Sequence, residues 1–160
     1  MAQKILVALD SSEGAWRAVA YVAEAWGKTP EVQVTLLHVL SGLPPAFWDD
    51  GHILDQEERE ARQRVINKWL ENQKLATEPM FRNAVELLKQ KGIQPERIQT
   101  KTLYDSTDVA KSILEEARDG GYLTLVLGRC GFSRVGEMFL GSTTSRIINQ
   151  GAGLAICVVE

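Results

Sequence analysis

The sequence has little cysteine, no excess of basic charge and no long apolar stretch. Its 160 residues include two cysteines, Cys130 and Cys157, and 18 Lys and Arg side chains against 21 Asp and Glu, for a net charge of −3. The two cysteines show no disulfide or metal-ligand spacing. An acidic balance argues against a nucleic-acid partner, which requires a basic face. No apolar run reaches the roughly 20 residues of a membrane span. We therefore expect a cytoplasmic protein with neither a membrane nor a nucleic-acid partner.

The composition is that of one globular domain spanning residues 1–160, with 44% hydrophobic and 24% charged residues. Apolar segments typical of strands alternate with segments of helical periodicity from end to end. The first apolar run is too short for a signal peptide and is predicted to be a strand. Strands are predicted at 4–9, 32–39, within 94–103, at 123–127 and at 154–159; helices are predicted after Ser12, at 55–91, at 106–118 and at 142–149.

Three local features refine this assignment. Pro79 is predicted to divide the segment 55–91 into two helices, with Thr77 capping the second. Acidic residues at its start (Asp55, Glu57, Glu58 and Glu60) suit the positive end of a helix dipole better than a metal site. The loop 40–54 is long enough to be a lid or a partner surface, and it carries Phe47 and Trp48.

Strands that alternate with helices predict a doubly wound α/β fold, with a five-stranded parallel sheet flanked by helices as in Rossmann-like proteins. If the strand order is 3-2-1-4-5, the order reverses between the first and fourth strands. Ligands in such folds bind beyond the carboxyl ends of the strands at that point. The loops that begin at Asp10 and at Gly128 are then expected to meet in one crevice.

The most informative segment is a glycine loop that joins the fourth strand to the last helix. Gly128, Gly131 and Gly141 are spaced as G-x2-G-x9-G, and Ser142 and Thr143 follow at the helix start. Backbone N–H groups at a helix N-terminus form a site for an anion, usually a phosphate. Arg129 and Arg134 are the cations of this loop and are candidate phosphate ligands, although single surface arginines are often only solvated.

Other candidate residues have both a chemical and a structural interpretation. Asp10 is placed to accept hydrogen bonds from a ribose or to help hold Mg²⁺, but it also suits a helix N-cap. Val39 is expected to contact a base at the end of the second strand. His38 is interpreted as a packed strand residue rather than a catalyst. Cys130 is either a thiol of lowered pKa or an unreactive loop residue.

Three separated segments together resemble the universal stress protein family. They are the start Lys4-Ile-Leu-Val-Ala-Leu-Asp10-Ser-Ser-Glu, the segment Leu36-Leu-His-Val39 and the glycine loop. The resemblance spans essentially the whole chain. In the ATP-binding branch it implies Asp10 and Val39 around the adenosine, and it implies Gly128, Gly131, Gly141, Ser142 and Thr143 around ribose and phosphates. It also implies a homodimer formed through the last strand, from Leu154 to Val159, whose apolar edge would otherwise favour aggregation.

The chain departs from the family pattern at three places. Gly136 and Glu137 occupy positions that are basic in many relatives, so Glu137 is expected to repel a triphosphate. Arg129-Cys130 replaces the usual Ser-His or Ser-Arg, and Tyr104-Asp105-Ser106 replaces a Gly-Asp/Asn-Pro turn.

The resulting expectation is a stress and signalling module. It binds ATP, AMP or ADP, with or without Mg²⁺, and acts through dimerisation and contacts with an unidentified protein partner. The alternative is a nucleotide-free interaction protein of the same fold. No catalytic residue is assigned, and any ATP hydrolysis is expected to be slow.

Overall fold

A computed structural model describes residues 2–42, 51–129 and 140–160. In it five parallel strands form one sheet in the order β3-β2-β1-β4-β5, as the sequence predicts. The strands are β1 (Lys4–Ala8), β2 (Gln33–Ser41), β3 (Ile98–Ser106), β4 (Thr124–Gly128) and β5 (Ala155–Val159). The helices are α1 (Glu13–Trp26), α2 (Gln56–Gln90), α3 (Val109–Asp119) and α4 (Ser142–Gln150).

The sheet is covered by helices on both faces, which explains why its central strands are apolar without alternation. In β1, Ile5 and Val7 pack into one buried cluster with α1 and α2. Leu6 lies between them in sequence and packs into a second cluster with α3 and α4. The helix that follows β1 therefore lies on one face of the sheet, and the helix that follows β4 lies on the other.

The prediction that Pro79 divides the long helical segment is wrong, because α2 continues through it as one 35-residue helix. A proline removes only one backbone N–H, and here the turn that loses it is exposed to water around Leu75. The Thr77 hydroxyl donates to the Gln73 carbonyl (3.0 Å) inside the helix instead of capping a new one. Despite this length, no helix in the three described segments is apolar enough to cross a membrane.

The start of α2 agrees with the predicted role of its acidic residues. The Glu58 N–H donates to the Asp55 carboxylate (2.8 Å), and the Asp55 N–H donates to the Glu58 carboxylate (2.9 Å). This reciprocal pair is a capping box, which satisfies two backbone donors of the first turn.

The third helix begins later than the sequence predicts. Ser106 does not open it, because it pairs with Ser41 as the last residue of β3, beyond a bulge between Val39 and Ser41. Asp108 is the N-cap of α3 and accepts from the Lys111 N–H (3.1 Å). Because β2 and β3 are longer than β1 and β4, their last residues project beyond the carboxyl ends of the central strands.

The same Asp108 joins α3 to α4 through a bidentate ion pair. The two guanidinium nitrogens of Arg146 donate to the two Asp108 carboxylate oxygens at 2.8 and 2.6 Å. The Arg146 guanidinium, followed by the Lys111 N–H, holds the pKa of the Asp108 carboxyl below its ordinary value. The ion pair links the N-terminus of α3 to the second turn of α4 on this face of the sheet.

Helix α1 approaches β4 so closely that both contact positions are glycine. A Cβ atom on Gly128 would lie 2.5 Å from the carbonyl carbon of Gly14 and 2.7 Å from its oxygen. Both atoms belong to the backbone, so they can move away only if the helix moves. This contact sets how deeply the N-terminus of α1 sits against the end of β4.

Gly128→Ala should therefore lower the free energy of unfolding by about 1–3 kcal/mol, since a methyl group is forced against backbone atoms. Urea unfolding measures the loss. The dependence of the free energy on urea should stay unchanged, which shows that the compactness of the two states is preserved. A loss below about 0.5 kcal/mol would show that the Gly14–Gly128 contact does not constrain the fold.

The Asp108–Arg146 pair should make stability depend on acid pH. A carboxyl whose pKa is lowered on folding contributes stability that is present above its unfolded pKa of about 3.9 and is lost as the pH falls through the folded value. Asp108→Asn keeps an N-cap acceptor but removes the charge. Its urea midpoint should lie below that of the unmodified protein at neutral pH, and the gap should close below about pH 4.

Arg146→Gln is the matched control, because it removes the other partner of the same pair. The double variant should be hardly less stable than either single variant. A gap that stays constant from neutral to acid pH would contradict this role of the ion pair.

Candidate functional site

A cavity of about 500 Å³ opens at the carboxyl ends of β1, β2 and β4. It lies at the point where the strand order reverses, which is where ligands bind in doubly wound folds. The elements that line it come from both faces of the sheet. Its lining residues are Ala8, Leu9, Asp10, Ser12, Ala15, Leu37, His38, Val39, Leu40, Ser41, Val109, Ile113, Leu127, Gly128, Gly141, Ser142, Thr143 and Thr144.

Asp10 lines the cavity from the turn that connects β1 to α1. One of its carboxylate oxygens accepts from the Ser12 N–H at 2.8 Å. Ser12 is the N-cap of α1, and its hydroxyl accepts from the Ala15 N–H at 3.1 Å. Asp10 is therefore not the N-cap of α1, because Ser12 has that role; its carboxylate closes the turn before the helix, and the residue lines the cavity.

The opposite wall is the N-terminus of α4. Its N-cap is Gly141, which has no side chain with which to cap the helix. The helical hydrogen-bond series starts with the Ser145 N–H on the Gly141 carbonyl (2.9 Å). The first three helical N–H groups, of Ser142, Thr143 and Thr144, precede that bond and have no partner within the helix. A helix start of this kind, next to a cavity, suits an anion.

Two hydrogen bonds hold this helix start against the end of β4. The Thr144 hydroxyl donates to the Gly128 carbonyl (3.0 Å), and the Gly141 N–H donates to the Arg129 carbonyl (3.0 Å). Thr144 is buried, with 4% of its surface exposed. The sequence showed Thr144 only as part of a run of hydroxyl residues. Its anchoring role appears only once the β4–α4 geometry is known.

The predicted glycines differ in what the structure assigns to them. Gly128 lines the cavity, but its lack of a side chain is required by the contact with Gly14 on α1. Gly141 lines the cavity as the N-cap of α4. Gly131 lies outside the described residues, as do Cys130, Arg134 and Glu137.

Arg129 is the one predicted site residue of the described segments that does not line the cavity. Its guanidinium pairs with the Glu160 carboxylate at 3.2 Å, beyond the end of β5. Its backbone N–H donates to the Val159 carbonyl at 3.0 Å and so extends the pairing of β4 with β5. Arg129 therefore links the start of the glycine loop to the edge strand.

An apolar wall faces the polar groups, and the sequence identified only part of it. Val39 lines the cavity as predicted, and Val109 and Ile113 add the apolar face of the first turns of α3. Val109 and Ile113 stand four residues apart, a helical spacing that is typical of a buried core face. Both lie in the first two turns of α3, at the end of the helix nearest the cavity.

The charge in the described part of the lining is sparse. Asp10 carries its one carboxylate, and no Lys or Arg is among the lining residues of these segments. The described residues also contain no group of three or more His, Cys, Asp or Glu placed to hold a metal ion. The arrangement offers an apolar surface at Val39 and α3, a carboxylate acceptor at Asp10 and backbone donors for an anion at α4.

Comparisons with known proteins give the family and the fold of this chain. The sequence model of the universal stress protein family matches residues 1–152. Universal stress protein YxiE of Bacillus subtilis (strain 168) is 29% identical over 154 residues, which cover 92% of each chain. The solved structure of hypothetical protein MJ0577, used as a test of assigning biochemical function from structure, is 25% identical. It superposes with a TM-score of 0.69 over 99% of this chain and 96% of its own.

Two further solved structures of the same fold hold nucleotides. A universal stress protein in complex with cAMP is 17% identical, with a TM-score of 0.63 over 99% of this chain and 97% of its own. The universal stress protein of Archaeoglobus fulgidus in complex with dAMP is 18% identical, with a TM-score of 0.58 over 100% and 98%. Because the family model matches nearly the whole chain, and the parallel sheet is the fold of these structures, this chain belongs to the universal stress protein family.

Proposed function

We propose that this protein binds an adenine nucleotide in the cavity at the strand-order reversal. It acts in the cytoplasm as a stress-response module whose occupied state is recognised by a protein partner. One observation carries the proposal: the uncapped N-terminus of α4 and the apolar wall of Val39, Val109 and Ile113 face the same 500 Å³ space. That volume lies within the range of small-molecule and cofactor sites.

Each part of an adenosine phosphate has a chemical counterpart in the cavity. The base packs against Val39 and the first turns of α3, where apolar side chains exclude water. The ribose hydroxyls lie within reach of Asp10, whose second carboxylate oxygen is the acceptor. The phosphate next to the ribose accepts from the N–H groups of Ser142 and Thr143. The cAMP and dAMP complexes of relatives support an adenine nucleotide as the class of ligand, because both ligands combine an adenine with one phosphate.

ATP, ADP and AMP share these contacts and differ only in the phosphates that extend beyond them. The described lining supplies no cation to the outer phosphates, while Asp10 supplies a negative charge. We infer that AMP binds without a metal and that ATP binds more tightly when Mg²⁺ neutralises its outer phosphates, with Asp10 as a candidate Mg²⁺ ligand. No residue is assigned to catalysis, and any hydrolysis of ATP is slow.

We further propose that two copies pair through β5. This strand is the last of the sheet, and its apolar residues Ile156 and Val158 are only half-buried. The Ala155 N–H donates to the carbonyl of Leu123, just before β4, and the N–H of Arg129, just after β4, donates to the Val159 carbonyl. Alternate residues of a strand bond to opposite sides, so the N–H groups of Ile156 and Val158 are directed away from β4. A second β5 strand would satisfy them and cover the edge.

The binding proposal predicts a charge-specific effect at Ser142. Ser142→Asp places a carboxylate at the start of α4, where it repels a phosphate but does not harm the helix. AMP should bind at least about tenfold more weakly, which corresponds to about 1.4 kcal/mol. Adenosine, which lacks the phosphate, should bind with unchanged affinity. Isothermal titration with adenosine, AMP, ADP and ATP, with and without Mg²⁺, measures these affinities.

Ser142→Asn is the matched control, because it has nearly the same shape and no charge. Equal AMP affinities for the Asp and Asn variants would place the phosphate elsewhere. If the unmodified protein binds none of the nucleotides, the proposal is wrong and the protein acts as a nucleotide-free interaction module.

The dimer proposal predicts that removing one outward-directed N–H separates the subunits. Val158→Pro removes that donor but leaves the pairing of β5 with β4 intact, since proline is tolerated at an edge strand. Val158→Ala, which keeps the N–H, is the control. Sedimentation velocity should show dimers for the unmodified protein and Val158→Ala, and monomers for Val158→Pro. A monomeric unmodified protein, or a dimeric Val158→Pro variant, would contradict pairing through β5.

A further inference from the structure

His38 makes a hydrogen bond that the proposed binding of a nucleotide does not use directly. Its Nδ1 atom lies 2.8 Å from the carbonyl oxygen of Leu9. A carbonyl can only accept, so Nδ1 must carry the proton. Leu9 is buried and follows Ala8, the last residue of β1 that pairs with β2. His38 thus satisfies the carbonyl at the point where the chain leaves the sheet.

The imidazole is held on the face of the sheet opposite to the apolar wall of the cavity. Leu37 and Val39 belong to the cluster beneath α3 and α4, and Leu36 belongs to the cluster beneath α1 and α2. Since side chains alternate along a strand, His38 points to the side of α1 and α2. There the ring meets Phe81 of α2 edge-to-face, with ring centroids 6.4 Å apart and planes at 85°.

The residue held by this bond immediately precedes Asp10. The Leu9 N–H donates to the Leu37 carbonyl at 2.7 Å, and the Leu9 carbonyl accepts from His38 on the next residue of β2. Both polar groups of the Leu9 backbone are therefore fixed by β2. This constrains the direction of the chain at the next residue, Asp10. The Asp10 carboxylate then closes the turn by accepting from the Ser12 N–H.

We propose that His38 is a positioning residue of the nucleotide site: its Nδ1–H holds the Leu9 carbonyl and thereby sets the Asp10 carboxylate at the ribose. This inference rests on the proposed function. It assigns a role to the histidine of the Leu36-Leu-His-Val39 segment, which sequence reasoning treated as a packed strand residue. His38 acts through Leu9 and Asp10 and is not assigned a contact with the ligand.

Two amide substitutions separate the hydrogen bond from the shape of the ring. The Nδ2 atom of asparagine stands at the same distance along the side chain as Nδ1 of histidine, so His38→Asn can donate to the Leu9 carbonyl. The nitrogen of glutamine stands one carbon further out, at the position of Nε2. His38→Gln therefore keeps an amide but misplaces the donor, and His38→Leu removes the donor.

The AMP affinities of these variants, measured by titration calorimetry, should follow whether the variant can donate to the Leu9 carbonyl. His38→Asn should bind AMP within about threefold of the unmodified protein, and His38→Gln and His38→Leu should bind about tenfold more weakly. A purely structural role would lower thermal stability in all three variants without this order of affinities. Undiminished binding by His38→Leu, or equal losses in the Asn and Gln variants, would overturn the proposal.

A second measurement is independent of whether any nucleotide binds. Amide resonances of Asp10, Ser11 and Ser12 in ¹⁵N-labelled, ligand-free protein report the geometry of the turn. These resonances should shift in His38→Gln and His38→Leu and stay near their original positions in His38→Asn. If they are the same in all variants, His38 does not position the turn, even if the protein binds AMP. If they shift as expected but AMP does not bind, the proposed function fails and the positioning of the turn remains.

Discussion

The cavity exists because β1 and β4 are neighbours in the sheet while the helices that follow them pack on opposite faces. The two connecting segments must diverge, and the space between them is the site. The close contact of Gly14 with Gly128 sets the depth of α1 on one side, and Thr144 fixes α4 on the other. The positions of Asp10 and of the helix start follow from this divergence.

Most of the fold could be predicted because strands buried on both faces are continuous apolar runs. The strand order 3-2-1-4-5, predicted for a doubly wound sheet, was confirmed. Pro79 and the start of α3 were mispredicted, because solvent exposure tolerates a proline and because β3 pairs beyond its bulge. Both outcomes depend on tertiary surroundings that a local pattern does not contain.

The candidate site was predictable where backbone geometry defines it and less so where a side chain chooses among partners. The helix start at Ser142 and the turn at Asp10 lie at the cavity, because their places follow from the topology. Arg129, by contrast, pairs with Glu160, and Val109 and Ile113 join the cavity wall instead of only the core. The sequence contained these residues but not the direction of their side chains.

We propose that backbone N–H groups at α4 hold the phosphate and that the Asp10 carboxylate, positioned from β2, holds the ribose. The most direct measurement is a titration of ¹⁵N-labelled protein with AMP, followed through its amide resonances. We expect saturable shifts concentrated at Asp10 and at Ser142, Thr143 and Thr144, with little change in α2. Shifts confined to other surfaces, or no shifts at millimolar AMP, would contradict this proposal.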